Sequence, residues 1–133
     1  MIERDYGDRE VAELWPRLLR CLPEFFRDIS VEPALLHGDL WFGNTAEVDH
    51  EPVLFDPATF YGHAEFDLGI AKMLGGFGAD FYRAYHELLP KEVGFESRNR
   101  LYQLFTKLNQ WNHFGTEYRG GCLSLMRSLV EHQ

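Results

Sequence analysis

Residues 37–44 read HGDLWFGN, bringing a histidine, a carboxylate and an amide together, and Asp56 follows an apolar run twelve residues after Asn44. Phosphoryl transfer needs a carboxylate beside the attacking hydroxyl and oxygen ligands for the magnesium ion that bridges the nucleotide phosphates. In that chemistry Asp39 accepts or orients the hydroxyl proton, Asn44 and Asp56 hold Mg2+, and His37 fixes the loop. His-Gly-Asp alone is also a common turn, in which Asp and Asn often bond only to their own backbone. Context favours the site, because the whole motif is followed by a strand pair and then by the second Asp.

That strand pair must do the positioning. Thr45–Val48 and Pro52–Phe55 read as short strands joined by a polar turn at Asp49–Glu51, and folding back would return Asp56 to the end that carries Asn44. The remaining pattern is helical. Val11, Leu14, Trp15, Leu18 and Leu22 recur at helical spacing behind an Asp8 N-cap, with Pro16 expected to kink or restart the helix. Pro23 opens a short turn carrying Phe25, Phe26 and Ile29, and Ala34–Leu36 is a brief apolar lead into the loop. Further helices are expected over 65–74, ended by Gly75-Gly76, over 80–89, over about 97–113, and over about 123–130. The Met and aromatic positions of 73–85 read as core. No repeat or internal boundary is visible, so residues 1–133 read as one domain, α+β and mostly helical, with one small β-hairpin.

Composition narrows the function. The 13 Lys and Arg against 21 Asp and Glu leave a formal net charge of −8, which argues against nucleic acid as the main partner. Hydrophobic residues at 45% exclude a disordered chain. No apolar run approaches the roughly 18–20 residues of a membrane span. The N-terminus, MIERDYGDRE, has no signal-peptide core, and Cys21 and Cys122 stand alone without a metal-binding pattern. The expected location is cytoplasmic.

HGDLWFGN, then FDPATFYGHAEFDLGIAKMLGGFGADFYRAYHELLP, then LYQLFTKLNQWNHFG resemble the fructosamine-3-kinase (ketosamine-3-kinase) family, from near Asp8 to about Val130. The short HGD pattern also occurs in aminoglycoside and choline kinases; the three stretches together point to the family. The resemblance implies a two-lobed, protein-kinase-like fold. This chain would form the C-terminal lobe of that aminoglycoside-phosphotransferase-like fold. The implied activity is transfer of the γ-phosphoryl group of ATP, with Mg2+, to the sugar 3-hydroxyl of ketosamines. Substrates would be glycated proteins or small ketosamines, and the product would decompose to free the amine. By motif position Asp39 resembles the base, and Asn44 and Asp56 the metal ligands. Trp41 would line the sugar site or anchor the loop. His63, Glu65 and Asp67 would touch substrate or lock the loop, and Trp111 and His113 are further candidate substrate contacts.

A kinase of this kind also needs a glycine-rich loop over the phosphates and a strand lysine, and nothing before His37 resembles either. The expectation is therefore a lobe without its N-terminal partner lobe, inactive alone, whose exposed lobe surface invites self-association. Two other readings remain at this point. One is a non-catalytic remnant acting by protein contacts. The other is an aminoglycoside- or choline-kinase-like enzyme.

Overall fold

The computed structural model describes residues 8–131, so the charged N-terminal segment 1–7 lies outside it. Of the described residues, those up to Ile29 and from Glu96 onward form one compact unit, and Ser30–Phe95 form another.

The first unit is helical. Helix α1 (Arg9–Cys21) starts at Asp8, whose Oδ1 accepts the backbone N–H groups of Glu10 and Val11 at 3.0 and 3.1 Å. It runs through Pro16 without restarting, where a kink or a restart was expected. The carbonyl that loses its partner belongs to Ala12, and both residues are exposed, so water can serve it. Trp15 also departs from expectation: it is exposed, and Val11, Leu14 and Leu18 alone form the buried stripe. A 3-10 turn (Leu22–Phe26) follows, with Pro23 in its first turn. The buried Arg98 guanidinium donates to the Phe25 carbonyl at 3.2 Å. Helix α4 (Phe95–Phe114), a 3-10 turn (Thr116–Tyr118) and α5 (Arg119–Glu131) complete the unit.

Helix α5 begins four residues before the expected Leu123 and runs through Gly120-Gly121. The start is held by charge: Arg119 pairs with Asp8 and Glu10, and Arg127 also pairs with Glu10. The core joins Val11, Leu14, Leu18 and Phe25 to Leu104, Trp111, Cys122, Leu123, Met126 and Leu129. Burial pushes the Cys122 thiol up to about 11, which leaves it a packing group rather than a nucleophile.

The second unit holds the four strands found among the described residues. β1 (Ala34–Leu36) pairs antiparallel with β4 (Phe60–Gly62), and β2 (Thr45–Val48) pairs antiparallel with β3 (Glu51–Leu54). There are thus two strand pairs where one hairpin was expected. The additional strands are three residues long, below the length at which alternation shows. The two pairs are nested in sequence: β2 and β3 close the hairpin, while β1 and β4 close the loop segments on either side of it. The β2–β3 connection is the two-residue turn Asp49-His50, both at positive φ (52° and 65°), as a type I′ turn requires.

Helix α2 (Glu65–Leu74) ends where Gly75 takes φ 75°, and its own Leu68, Ile70 and Ala71 are buried. Helix α3 (Ala79–Leu88) has no fully buried residue. Its aromatics form a half-buried row rather than core: Phe77 stacks on Phe81, and Phe81 meets Tyr82 edge-on. No helix among the described residues is long and apolar enough to cross a membrane.

Asp8 carries both the α1 cap and the tie to α5. Asp8→Ala is expected to lower stability by about 1–2 kcal/mol near neutral pH, measured by urea unfolding. The hydrogen bond from Arg119 holds the Asp8 carboxyl below its ordinary value, with the Val11 N–H adding to it. A lowered carboxyl stabilises the fold above its ordinary titration range and loses that contribution as pH falls through its folded value. The difference between the wild type and D8A should therefore persist through the ordinary carboxylate range and shrink only as pH falls below it.

Candidate active site

The loop 37–44 leaves β1 and enters β2, and both ends are pinned to the segment that links β3 to β4. The Ala58 N–H donates to the His37 carbonyl at 2.8 Å, and the Phe55 N–H donates to the Asn44 carbonyl at 3.1 Å. The hairpin thus sets Phe55 beside Asn44 and brings Asp56 to the end expected from sequence. Gly38 has φ 83°, and a Cβ there would lie 2.0 Å from the Ala58 carbonyl oxygen. Only glycine fits that position.

Beneath the loop is Asp67, in the first turn of α2 and buried. Its Oδ2 accepts the His37 N–H at 2.8 Å and its Oδ1 accepts the Gly38 N–H at 2.9 Å. One carboxylate therefore holds two consecutive amides that no strand could pair. Locking the loop was one of two roles expected for Asp67, and its geometry is that of the lock. Sequence offered only its place eleven residues after Asp56, on a helix start.

The loop's side chains then organise one another. The Asp39 N–H donates to His37 Nδ1 at 3.3 Å, and His37 Nε2 lies 2.9 Å from the Phe55 carbonyl. This network assigns the ring proton to Nε2, which donates it to Phe55. Asn44 is buried, and its Nδ2 donates to the Asp39 carbonyl at 2.9 Å and to Asp39 Oδ2 at 3.0 Å. Asp39 is half-buried, with one carboxylate oxygen fixed by Asn44. Asp56 is exposed at φ 53°, a left-handed backbone uncommon for a non-glycine residue.

As a magnesium site these residues fit by donor chemistry. Spending its amide nitrogen on Asp39 leaves Asn44 with its oxygen as a ligand, and Asp56 offers a carboxylate; both are hard oxygen donors. Trp41 is half-buried and lies over its own loop, since a Cβ on Gly43 would meet its ring carbons at 2.2–2.6 Å.

The other candidates lie outside the loop in sequence, and each is described within its own unit. His63 is half-buried just before α2, its Nε2 3.9 Å from Glu65 Oε1. Trp111 and His113 belong to the helical unit, where Trp111 is fully buried in the core and His113 is exposed near the end of α4. Tyr85, which drew no functional expectation, has its phenol pushed up by burial, and the charges of Asp67 and Glu65 push it further.

Removing the Asp67 acceptors should loosen the loop before it unfolds the unit. Asp67→Ala is expected to cost about 1–3 kcal/mol. Amide hydrogen exchange should accelerate at His37 and Gly38 more than at the β2–β3 amides. Equal acceleration throughout the unit would show that Asp67 supports the fold generally rather than the loop.

The chain resembles known proteins over nearly its whole length. The sequence profile of the family described as fructosamine kinase matches residues 4–132. Mouse ketosamine-3-kinase is 57% identical over 129 residues, covering 97% of this chain and 42% of that protein. The chloroplastic protein-ribulosamine 3-kinase of Arabidopsis thaliana is 43% identical, covering 91% of this chain and 37% of the relative. A solved structure from Thermobifida fusca, provisionally called a fructosamine-3-kinase, superposes with a TM-score of 0.84 at 32% identity, over 96% of this chain and 45% of that one. The chain thus spans less than half the length of these relatives. With the match running from residue 4 to residue 132, it belongs to the fructosamine kinase family.

Proposed function

We propose that these residues supply the catalytic base and the metal ligands of an ATP-dependent kinase acting on the sugar 3-hydroxyl of ketosamines, and that they form the C-terminal lobe of its fold. The observation that carries this reading is the Asn44–Asp39 hydrogen bond, with Asp56 returned to the same hairpin end. It is the arrangement phosphoryl transfer needs: a base with one oxygen fixed and the other open, beside two oxygen ligands.

In this reading Asp39 uses its unfixed carboxylate oxygen to take or orient the proton of the attacking hydroxyl. Asn44 holds Asp39 in that rotamer and, with Asp56, holds the cation. Mg2+ and ATP, when bound, supply the phosphoryl group and neutralise the charge that develops on it. His37, bonded to Phe55, keeps the segment before Asp56 against the loop. Trp41 presents an apolar ring of the kind that stacks on a sugar face while also bracing the loop over Gly43.

The ketosamine substrate class rests on the family and on the relatives' names, ketosamine-3-kinase and protein-ribulosamine 3-kinase. The cytoplasmic setting in this reading rests on the sequence, where Cys21 and Cys122 stand apart without a paired-cysteine pattern. These 133 residues contain no glycine-rich phosphate loop, and positioning of the phosphates supplies most of the catalysis in such reactions. The chain alone is therefore expected to show no measurable turnover.

The test is ATP-dependent phosphorylation of fructosyl-lysine by this chain and by one extended upstream with a nucleotide-binding lobe. The extended enzyme should turn over. Asp39→Ala should reduce kcat by about 10²–10⁴-fold, and Asp56→Ala should remove the response to Mg2+. Variants that keep full activity would overturn the assignment. Turnover by the 133-residue chain would show that the second lobe is dispensable.

A further inference from the structure

The second unit presents, around the start of α2, a second group of ligating side chains that the phosphoryl-transfer reading does not use. We propose that His63, Glu65 and Glu92 form a binding site for a zinc-class divalent cation, separate from the magnesium site proposed at Asn44 and Asp56. One ligating atom from each of the three residues lies within 4.8 Å of the other two, and His63 Nε2 is 3.9 Å from Glu65 Oε1. Ligands about 2.0–2.1 Å from a tetrahedral zinc ion sit about 3.3 Å apart, so modest side-chain adjustment closes the set.

Two features of the surroundings agree, the cavity and the burial of Glu65. The residues line a cavity of about 240 Å³ within the second unit, walled on its apolar side by Leu68, Leu89 and Phe95. Glu65 is only 7% exposed, and a buried carboxylate beside a second carboxylate is stabilised by a cation. His86 lines the same cavity, and its Nδ1 lies 3.1 Å from the Leu89 carbonyl. Donation of the Nδ1 proton to that carbonyl leaves Nε2 bare. His86 lies outside the three-residue cluster, so the fourth position is left to water or to a bound ligand.

The donor chemistry selects the ion. Imidazole with carboxylate suits zinc and its first-row neighbours, whereas Mg2+ prefers an octahedral, all-oxygen shell and keeps its waters. An ion here ties the α3–α4 connection, through Glu92, to the turn of α2 that carries Asp67 two residues after Glu65. The catalytic loop rests on that turn, so occupancy would stiffen the support of His37 and Gly38. The proposal does not depend on the kinase reading, and its test involves no nucleotide and no turnover.

The 133-residue chain, stripped of metal, is titrated with Co2+ as a spectroscopic probe and with Zn2+ in competition, in excess Mg2+. The expected result is one saturable equivalent, with the visible absorption of four- or five-coordinate Co2+, displaced by Zn2+ and indifferent to Mg2+. His63→Ala and the surface change Glu92→Ala should each weaken binding at least about tenfold. His50→Asn, in the exposed hairpin turn outside the cavity, should leave it unchanged. Three results would overturn the site: no saturable binding, equal affinity in His63→Ala and Glu92→Ala, or an equal loss in His50→Asn.

Discussion

Everything proposed for the loop depends on one carboxylate accepting two consecutive backbone amides. A loop that crosses from one strand pair to another leaves its N–H groups outside any ladder, and buried donors without acceptors cost about 1–3 kcal/mol each. Asp67 satisfies His37 and Gly38 together. It does so from a rigid helical turn, where the positive end of α2 also favours its charge. Gly38 is the counterpart of this arrangement, because its backbone must pass within contact of Ala58 while keeping both amides turned toward α2.

From that support the reactive geometry follows by short steps. With the backbone at 37–38 fixed, Asp39 is placed to receive the Asn44 amide, and His37 to bridge to Phe55. The outer pair, β1 with β4, and the inner pair, β2 with β3, bracket the loop and its return segment. Asp56 is brought back by this nested pairing, and its left-handed backbone is strain that the two ladders sustain. Preorganisation of this kind is what phosphoryl transfer asks of a protein, since positioning and charge do most of the work.

Much of this was legible in the residues. The helix over 65–74 and its stop at Gly75 were readable from spacing and a glycine, and the β2–β3 hairpin from two short runs about a polar turn. The link from Asn44 to Asp56 was readable because a hairpin makes sequence separation into proximity. What escaped had physical reasons. β1 and β4 are too short to show a period, and Phe60 and Tyr61 are exposed, so neither face reads as apolar. The start of α5 is set by ion pairs 109 and 111 residues apart in the chain. Pro16 does not divide α1, because its cost depends on whether water reaches the carbonyl four residues back, which no local pattern encodes. The Asp67 anchor was narrowed to two roles but not chosen, because hydrogen bonds spanning 29 and 30 residues leave no periodic trace.

The central claim is that Asn44 and Asp56 share one cation beside Asp39. Its most direct measurement is paramagnetic broadening of backbone resonances by Mn2+–ATP, with Glu92→Ala introduced to silence the second site. The account predicts that the amides around Asn44 and Asp56 broaden first, with Asp39 next, and that Asp56→Ala removes the effect at Asn44. If Asn44 and Asp56 stay sharp at concentrations that broaden resonances elsewhere in the unit, the two residues do not form a metal site and the account fails.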